Sequence, residues 1–456
     1  MKHILSIAAS ALLLSSCSIY SSYKQTEIAP LTVDPYQDTT YRDTIRVAPQ
    51  WNQVFTDVNL QALLTKALTS NIDLQIASLS IEQSEALLRT ARLAYLPSFM
   101  LAPEGGVMSL DKSKASYSYN LPVNAQWEID LFGKLRNSKE QTRSALLQTR
   151  EYKKLLQTQV IAALANNYYT LVMLDKQLQI TQECVANQKQ NLDVIIAMKE
   201  AGMQTEAAVN QASANLYNVQ ASEKDIQKQI RIIENAISLL INETPERITR
   251  TDFSQIKGIP VQLNDEVAVV SLSNRPDVRQ AEYALRESFY GVNAARSAFY
   301  PSLTLGGTAG WTNSAGGFIS NPGQLLLSAI GSLTQPLFNK GINQANLKIS
   351  KARYEQSKLQ FHQTLLSAGV EVNDALVLCQ NSQSKLIIRQ KQVEANQRAL
   401  DNSLELMKHS SNTYLDVLYA EITLLQSRLV SVSDWFEGVQ GKITLYKALG
   451  GGSTPE

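Results

Sequence analysis

Residues 70–102 of this chain align with residues 274–306, pairing Asp73 with Asp277, Ala77 with Ala281, Ser84 with Ser288, Ala91-Arg92 with Ala295-Arg296 and Pro97-Ser98 with Pro301-Ser302. The chain is therefore an internal duplication. Each copy carries a pair of alternating strands followed by helices far too long for an ordinary globular domain. Two such units, each with unclosed strand edges, describe a subunit that completes its structure only by assembling with others.

The strands are read from a period of two. From Tyr117 the odd positions run Tyr117, Tyr119, Leu121, Val123, Ala125, Trp127, Ile129 and Leu131, while the even ones run Ser118, Asn120, Pro122, Asn124, Gln126, Glu128 and Asp130. One face is apolar and the other wet. The run of about 15 residues exceeds the roughly 9 to 11 that a tilted strand needs to cross a bilayer. In the second copy Leu303, Leu305, Gly307, Ala309 and Trp311 alternate with Ser302, Thr304, Gly306, Thr308 and Thr312. Residues 98–110 and 324–338 supply the hairpin mates, and the connections at 111–115 and 314–323 are short, polar or Gly-rich.

Past the N-terminus no run of 18 apolar residues occurs, so any membrane crossing is made by strands. Four strands cannot close a barrel, and each unpaired backbone group facing lipid costs several kcal/mol, which excludes a lone chain from a bilayer. Two copies would give eight strands around an interior filled by side chains, and three would give twelve with room for a pore. A soluble sandwich built from the same strands is the alternative.

The helices keep a seven-residue repeat. Leu365, Val372, Cys379, Leu386, Val393, Leu400 and Met407 fall seven apart in the segment 341–408, as do Leu164, Leu171, Leu178, Val185 and Leu192 in 134–200. Segments 206–241 and 413–448 follow after short breaks. The last one steps by three and four through Leu415, Leu418, Ile422, Leu425, Leu429, Val432, Phe436, Val439, Ile443 and Tyr446. Such seams predict left-handed coiled-coil packing. At 1.5 Å per residue, a helix of about 66 residues reaches roughly 100 Å.

At the N-terminus, Lys2 precedes an apolar stretch from Ile4 to Leu14 and then Leu14-Ser15-Ser16-Cys17. This resembles a bacterial lipobox, with residues 1–16 as an export signal and Cys17 as the acylated mature N-terminus. Ser18, where an Asp would favour retention at the inner membrane, points by the same resemblance to the outer membrane. An ordinary cleaved signal with an incidental Cys is the alternative. Lys+Arg 42 and Asp+Glu 41 nearly cancel and no basic tract occurs, so nothing indicates nucleic-acid binding.

The segments Asn274-Arg275-Pro276-Asp277-Val278-Arg279-Gln280-Ala281-Glu282, Leu131-Phe132-Gly133-Lys134, Pro336-Leu337-Phe338-Asn339 and Leu445-Tyr446-Lys447-Ala448-Leu449-Gly450-Gly451-Gly452 resemble the TolC-like outer-membrane factor family, particularly its lipoprotein branch associated with resistance-nodulation-division (RND) efflux pumps. The match spans residues 51–452. The resemblance implies a membrane α+β fold with four transmembrane strands and long coiled-coil helices per chain. It further implies a homotrimer with a twelve-stranded barrel in the outer membrane and a twelve-helix tunnel in the periplasm. The partners it implies are a periplasmic adaptor protein, an inner-membrane RND transporter and outer-membrane lipid.

The expected organisation is a signal peptide at 1–16 and a lipidated extended segment at 17–57. The first repeat spans 58–242, with a helix at about 58–95, a hairpin at about 97–131 and helices at 134–200 and 206–241. A linker at 243–262 leads to the second repeat at 263–449, with a helix at 263–299, a hairpin at about 301–338 and helices at 341–408 and 413–448. A tail follows at 450–456.

The helices turn back at 201–205 and 409–413, farthest along the chain from the strands, so Gly202, Met203, Ser410 and Ser411 are the candidate adaptor-contacting tips. Gly202 supplies the first turn; the second has Ser410-Ser411-Asn412 where the family usually has Gly. Just beyond, Tyr414-Leu415-Asp416-Val417-Leu418-Tyr419-Ala420 resembles the family segment whose acidic residues ring the closed tunnel mouth. Asp416 matches its first acidic position, and three such carboxylates at a constriction would repel one another and attract cations. A solvated helix residue is the other reading of Asp416.

No catalytic, cofactor or metal site is read from the chain. After the signal only His362 and His409 remain, and neither a Gly-x-Ser-x-Gly elbow nor a P-loop occurs. Cys379 and Cys184 are expected to be packing residues, with a disulfide between them left open. Arg275-Pro276-Asp277 reads as a helix start. The expected function is a passive outer-membrane exit duct for small molecules. A type I protein-secretion channel and a non-conducting coiled-coil envelope lipoprotein are the alternatives.

Overall fold

The computed structural model describes residues 20, 22–24, 50–109, 111, 115–256, 259, 270–313, 324–408 and 414–451. Its described residues fall into two compact units. One comprises 79–150, 279–363 and the described part of 1–28; the other comprises 151–278, 364–456 and the described part of 29–78.

The first unit holds the sheet. Its strands are β1 (Ser98–Leu101), β2 (Glu104–Met108), β3 (Ser116–Ile129), β4 (Ser302–Asn313) and β5 (Gln324–Thr334), all antiparallel, in the order β1-β3-β4-β5 with β2 also on β3. The expected first strand is thus two pieces, because Pro103 has no N–H to give to a ladder. The Ala102 amide bridges the gap by donating to the Pro122 carbonyl at 3.1 Å. Both pieces keep one register on β3, pairing Leu101 with Val123 and Glu104 with Asn120. β5 stops at Thr334, so residues 335–338, expected in the hairpin, leave the ladder at Pro336.

The helices repeat in length. α3 (Ile72–Leu93) and α7 (Pro276–Ser297) each have 22 residues, α4 (Lys134–Glu200) and α8 (Ile342–Lys408) each have 67, and α5 (Glu206–Leu240) and α9 (Tyr414–Ala448) each have 35. α4 starts where the Asp130 carboxylate accepts from the amides of Leu135 and Arg136, at 3.2 and 2.8 Å. Such a cap satisfies donors that the helix itself leaves open. Just before it, Gly133 has φ +70, and the Tyr20 ring lies 3.2 Å from where a Cβ would be. Among the described residues no helix is long and apolar enough to cross a membrane.

The helices expected at 58–95 and 263–299 are each interrupted. The first is α2 (Val58–Ser70) followed by α3, with Asn71 between them in an extended conformation. The second shows α6 (Val270–Ser273) and then α7, because Pro276 disfavours a helical conformation at the residue before it. The segment expected to be extended up to residue 57 contains α1 (Trp51–Val54).

The core of the second unit gathers Phe55, Leu60 and Leu64 with Leu164, Tyr168 and Leu171 of α4, Ile237 of α5 and Ile443 of α9. The Phe55 ring meets Tyr446 edge-on, with centroids 5.4 Å apart. The Tyr168 hydroxyl donates to Asp57 at 2.8 Å, and Asp57 in turn caps α2 by accepting from the Leu60 amide at 3.1 Å. Seam positions Leu164, Leu171, Leu365, Val372 and Cys379 are all buried, as the heptads require. Leu415 is not; it is exposed in the first turn of α9, where the seam begins only at Leu418.

Candidate functional site

The sheet register sorts side chains onto two faces. Val123 lies opposite Ala309 and Leu101, Trp127 opposite Leu305, and Leu121 opposite Trp311. On the other side Ala309 faces Leu327, Trp311 faces Leu325 and Leu303 faces Leu333. These odd positions form one apolar face across β1, β3, β4 and β5. The even positions pair Asn124 with Thr308, Asn120 with Thr312, Glu128 with Thr304, and Thr308 with Ser328. The Thr308 hydroxyl donates to Asn124 Oδ1 at 2.9 Å.

The apolar face is bare along the outer strands. Phe99, Leu101, Leu325, Leu327 and Leu333 are exposed large hydrophobics. An apolar face of this extent needs a non-aqueous neighbour, and the opposing polar face suits water. At the centre, Gly310 stands opposite Pro122, and a Cβ there would lie 2.2 Å from the Leu121 carbonyl oxygen, so the close approach of β3 and β4 requires glycine. Among the described residues both sheet edges are open: β5 pairs only with β4, and β1 and β2 only with β3.

In the second unit, the far turn between α4 and α5 is closed by Gly202 at φ +76. The Met203 amide donates to the Met198 carbonyl at 2.8 Å, and Thr205 caps α5 by accepting from the Ala208 amide at 3.3 Å. Lys199 and Glu206 form an ion pair across the turn. Met203 is exposed. Asp416 lies in the first turn of α9, where the helix dipole favours a carboxylate. It is exposed, as is Tyr419 three residues on, while Leu418 packs in a small core with Ile195 and Ala212, and Val417 is buried. Cys17, Ser410 and Ser411 lie outside the described residues.

Several polar ties across the seams were not legible in the sequence. Asn191 of α4 donates to Glu421 of α9 at 2.6 Å, and about two turns along, Arg428 reaches Glu183 at 3.1 Å. Burial raises the Glu421 carboxyl above its ordinary value, with Asn191 opposing. Burial, then the neighbouring Glu421, pushes the Cys184 thiol up to about 11, which disfavours the reactive thiolate. Cys184 and Cys379 are both free. On α8, Lys385 and Arg389 reach Asp434 of α9 at 2.8 and 2.6 Å. The only signal for these ties was the charge flanking the seam.

Arg275 does more than precede a helix. Its buried guanidinium grips Asp277 with two bonds of 3.0 and 2.7 Å, reaches Glu371 at 2.7 Å, and donates to the Ala448 carbonyl at the end of α9 at 2.7 Å. The duplication repeats the device. Asn71, aligned with Arg275, donates to the Leu240 carbonyl at the end of α5 at 2.9 Å.

A sheet with one apolar face, one wet face and two open edges, on a chain of heptad helices, defines the class: a subunit of a multichain β-barrel. Residues 63–243 and 267–451 match the family described as outer membrane efflux protein, and the chain belongs to that family. The chain is 27% identical to the cation efflux system protein CusC of Escherichia coli over 97% of this chain and 98% of that protein. It is 26% identical to the toluene efflux pump outer membrane protein TtgC of Pseudomonas putida over 99% and 96%. The crystal structure of CusC superposes with a TM-score of 0.86 at 26% identity, covering 95% of this chain and 100% of that one. The chain is thus an outer-membrane component of an efflux system.

Proposed function

We propose that three copies of this chain close one barrel and one helical conduit, forming the exit duct for small molecules delivered by an inner-membrane RND transporter through a periplasmic adaptor protein. The observation that carries this reading is the two-faced sheet with both edges open. Twelve strands leave room for a water-filled bore, whereas eight are filled by side chains. Cys17 bears the acyl anchor. Asp416, repeated three times, rings the closed mouth, and Gly202, Met203, Ser410 and Ser411 meet the adaptor.

The duct performs no chemistry, and the transporter supplies both energy and most of the cargo choice. The names of the relatives, one for cations and one for toluene, support a conduit that does not itself define the cargo. Deleting the gene is expected to raise cellular accumulation of cationic dyes or organic solvents, with recovery on complementation. Unchanged accumulation together with altered envelope spacing would establish a tether in place of a duct.

A further inference from the structure

Where β3 ends and β4 begins, two aromatic side chains meet. Phe132, in the Leu131-Phe132 turn after β3, stacks on Tyr300, which stands just before Pro301-Ser302 at the start of β4, with centroids 5.2 Å apart and planes 21° from parallel. The duplication supplies both halves of this junction again, but on the two outer edges of the sheet. Leu337-Phe338 follows β5, and Leu96, aligned with Tyr300, stands just before Pro97-Ser98 at the start of β1. These halves are bare: Leu337 is 93% exposed, Phe338 86% and Leu96 61%.

We propose that the Phe132–Tyr300 contact is repeated between copies of this chain: Phe338 of one protomer lies against Leu96 of the next, where β5 of the first runs antiparallel to β1 and β2 of the second. The proposal rests on the homotrimer put forward above and specifies how its protomers join. Three observations commit the site to a second copy over lipid. Direction alternates through β1, β3, β4 and β5, so the end of β5 and the start of the next β1 fall on the same side, as do the end of β3 and the start of β4. Parity also agrees, because Leu325, Leu327 and Leu333 on β5 and Phe99, Leu101 and Val107 on β1 and β2 occupy the apolar face, which continues unbroken only if odd residues meet odd. Finally, Phe132, the counterpart of Phe338, is covered by the residue leading into the next strand.

The test uses full-length protein with Cys184→Ala and Cys379→Ala, carrying Leu96→Cys and Phe338→Cys singly or together. Outer-membrane protein is treated with a short bis-maleimide, and native mass in detergent is measured on the same samples. The double variant is expected to give covalently linked trimers on a denaturing gel, and each single variant no trimers. A native trimer whose double variant stays unlinked would overturn the junction and leave the homotrimer standing, whereas a native monomer would overturn the homotrimer itself. A second measurement removes dependence on the cysteines. Phe338→Ala is expected to lower the temperature at which the trimer dissociates, and Leu96→Ala to add little in that background while lowering it alone. Independent, additive shifts would place both side chains in lipid and overturn the contact.

Discussion

Arg275 shows how much a single side chain can hold. Its guanidinium is buried and binds two carboxylates and the last carbonyl of α9. Removing it takes charged hydrogen bonds from two carboxylates, themselves partly open to water, and a donor from the Ala448 carbonyl, at a cost of about 3 kcal/mol. Arg275→Ala is therefore expected to lower the thermal midpoint of the purified protein sharply. Asn71→Ala, which loses its bond to the Leu240 carbonyl and the cap its Oδ1 gives the Leu74 amide, should cost less, about 1 to 2 kcal/mol; equal losses would refute the ranking. The sequence marked Arg275-Pro276-Asp277 as a helix start and went no further. Its partners Glu371 and Ala448 lie far along the chain, and no local periodicity connects them.

Between elements, the seams were the legible part. Val372 and Leu171 are buried where the seven-residue repeat puts them. The polar ties were hidden because a charge beside a seam looks the same in sequence whether it faces water or a partner helix. Glu421 is the informative case. Its Oε1 accepts from Asn191, while Oε2 is buried with no hydrogen-bond partner among the described residues. Burial holds its carboxyl above the ordinary value of 4.5, so the folded state binds this proton more tightly than the unfolded chain does. The contribution of Glu421 to stability is then greatest below that ordinary value and declines as pH rises through the raised one. Glu421→Gln, which keeps an acceptor for Asn191, is expected to flatten the pH dependence of melting on the side above the ordinary glutamate value. An unchanged slope would show that the group titrates normally.

For the molecule as a whole, the duplication was the most informative feature. It announced paired elements, and the structure supplies them with matching lengths of 22, 67 and 35 residues. The breaks at Pro103 and Asn71 escaped notice because a single proline or asparagine inside a periodic run does not say whether the run bends or merely pauses. At this scale the proposed mouth has a measurable consequence. If three Asp416 carboxylates share a constriction, Asp416→Asn should reduce cation over anion permeability in planar bilayers. A selectivity that does not move would return Asp416 to the status of a solvated helix residue.

The open borders of the sheet carry a genetic consequence. Since no protomer seals its own wall, one chain with a damaged border spoils every ring that admits it. In a cell holding an intact and a damaged allele, the harm is multiplicative instead of proportional, so such lesions act as dominant poisons while lesions that prevent export of the chain stay recessive.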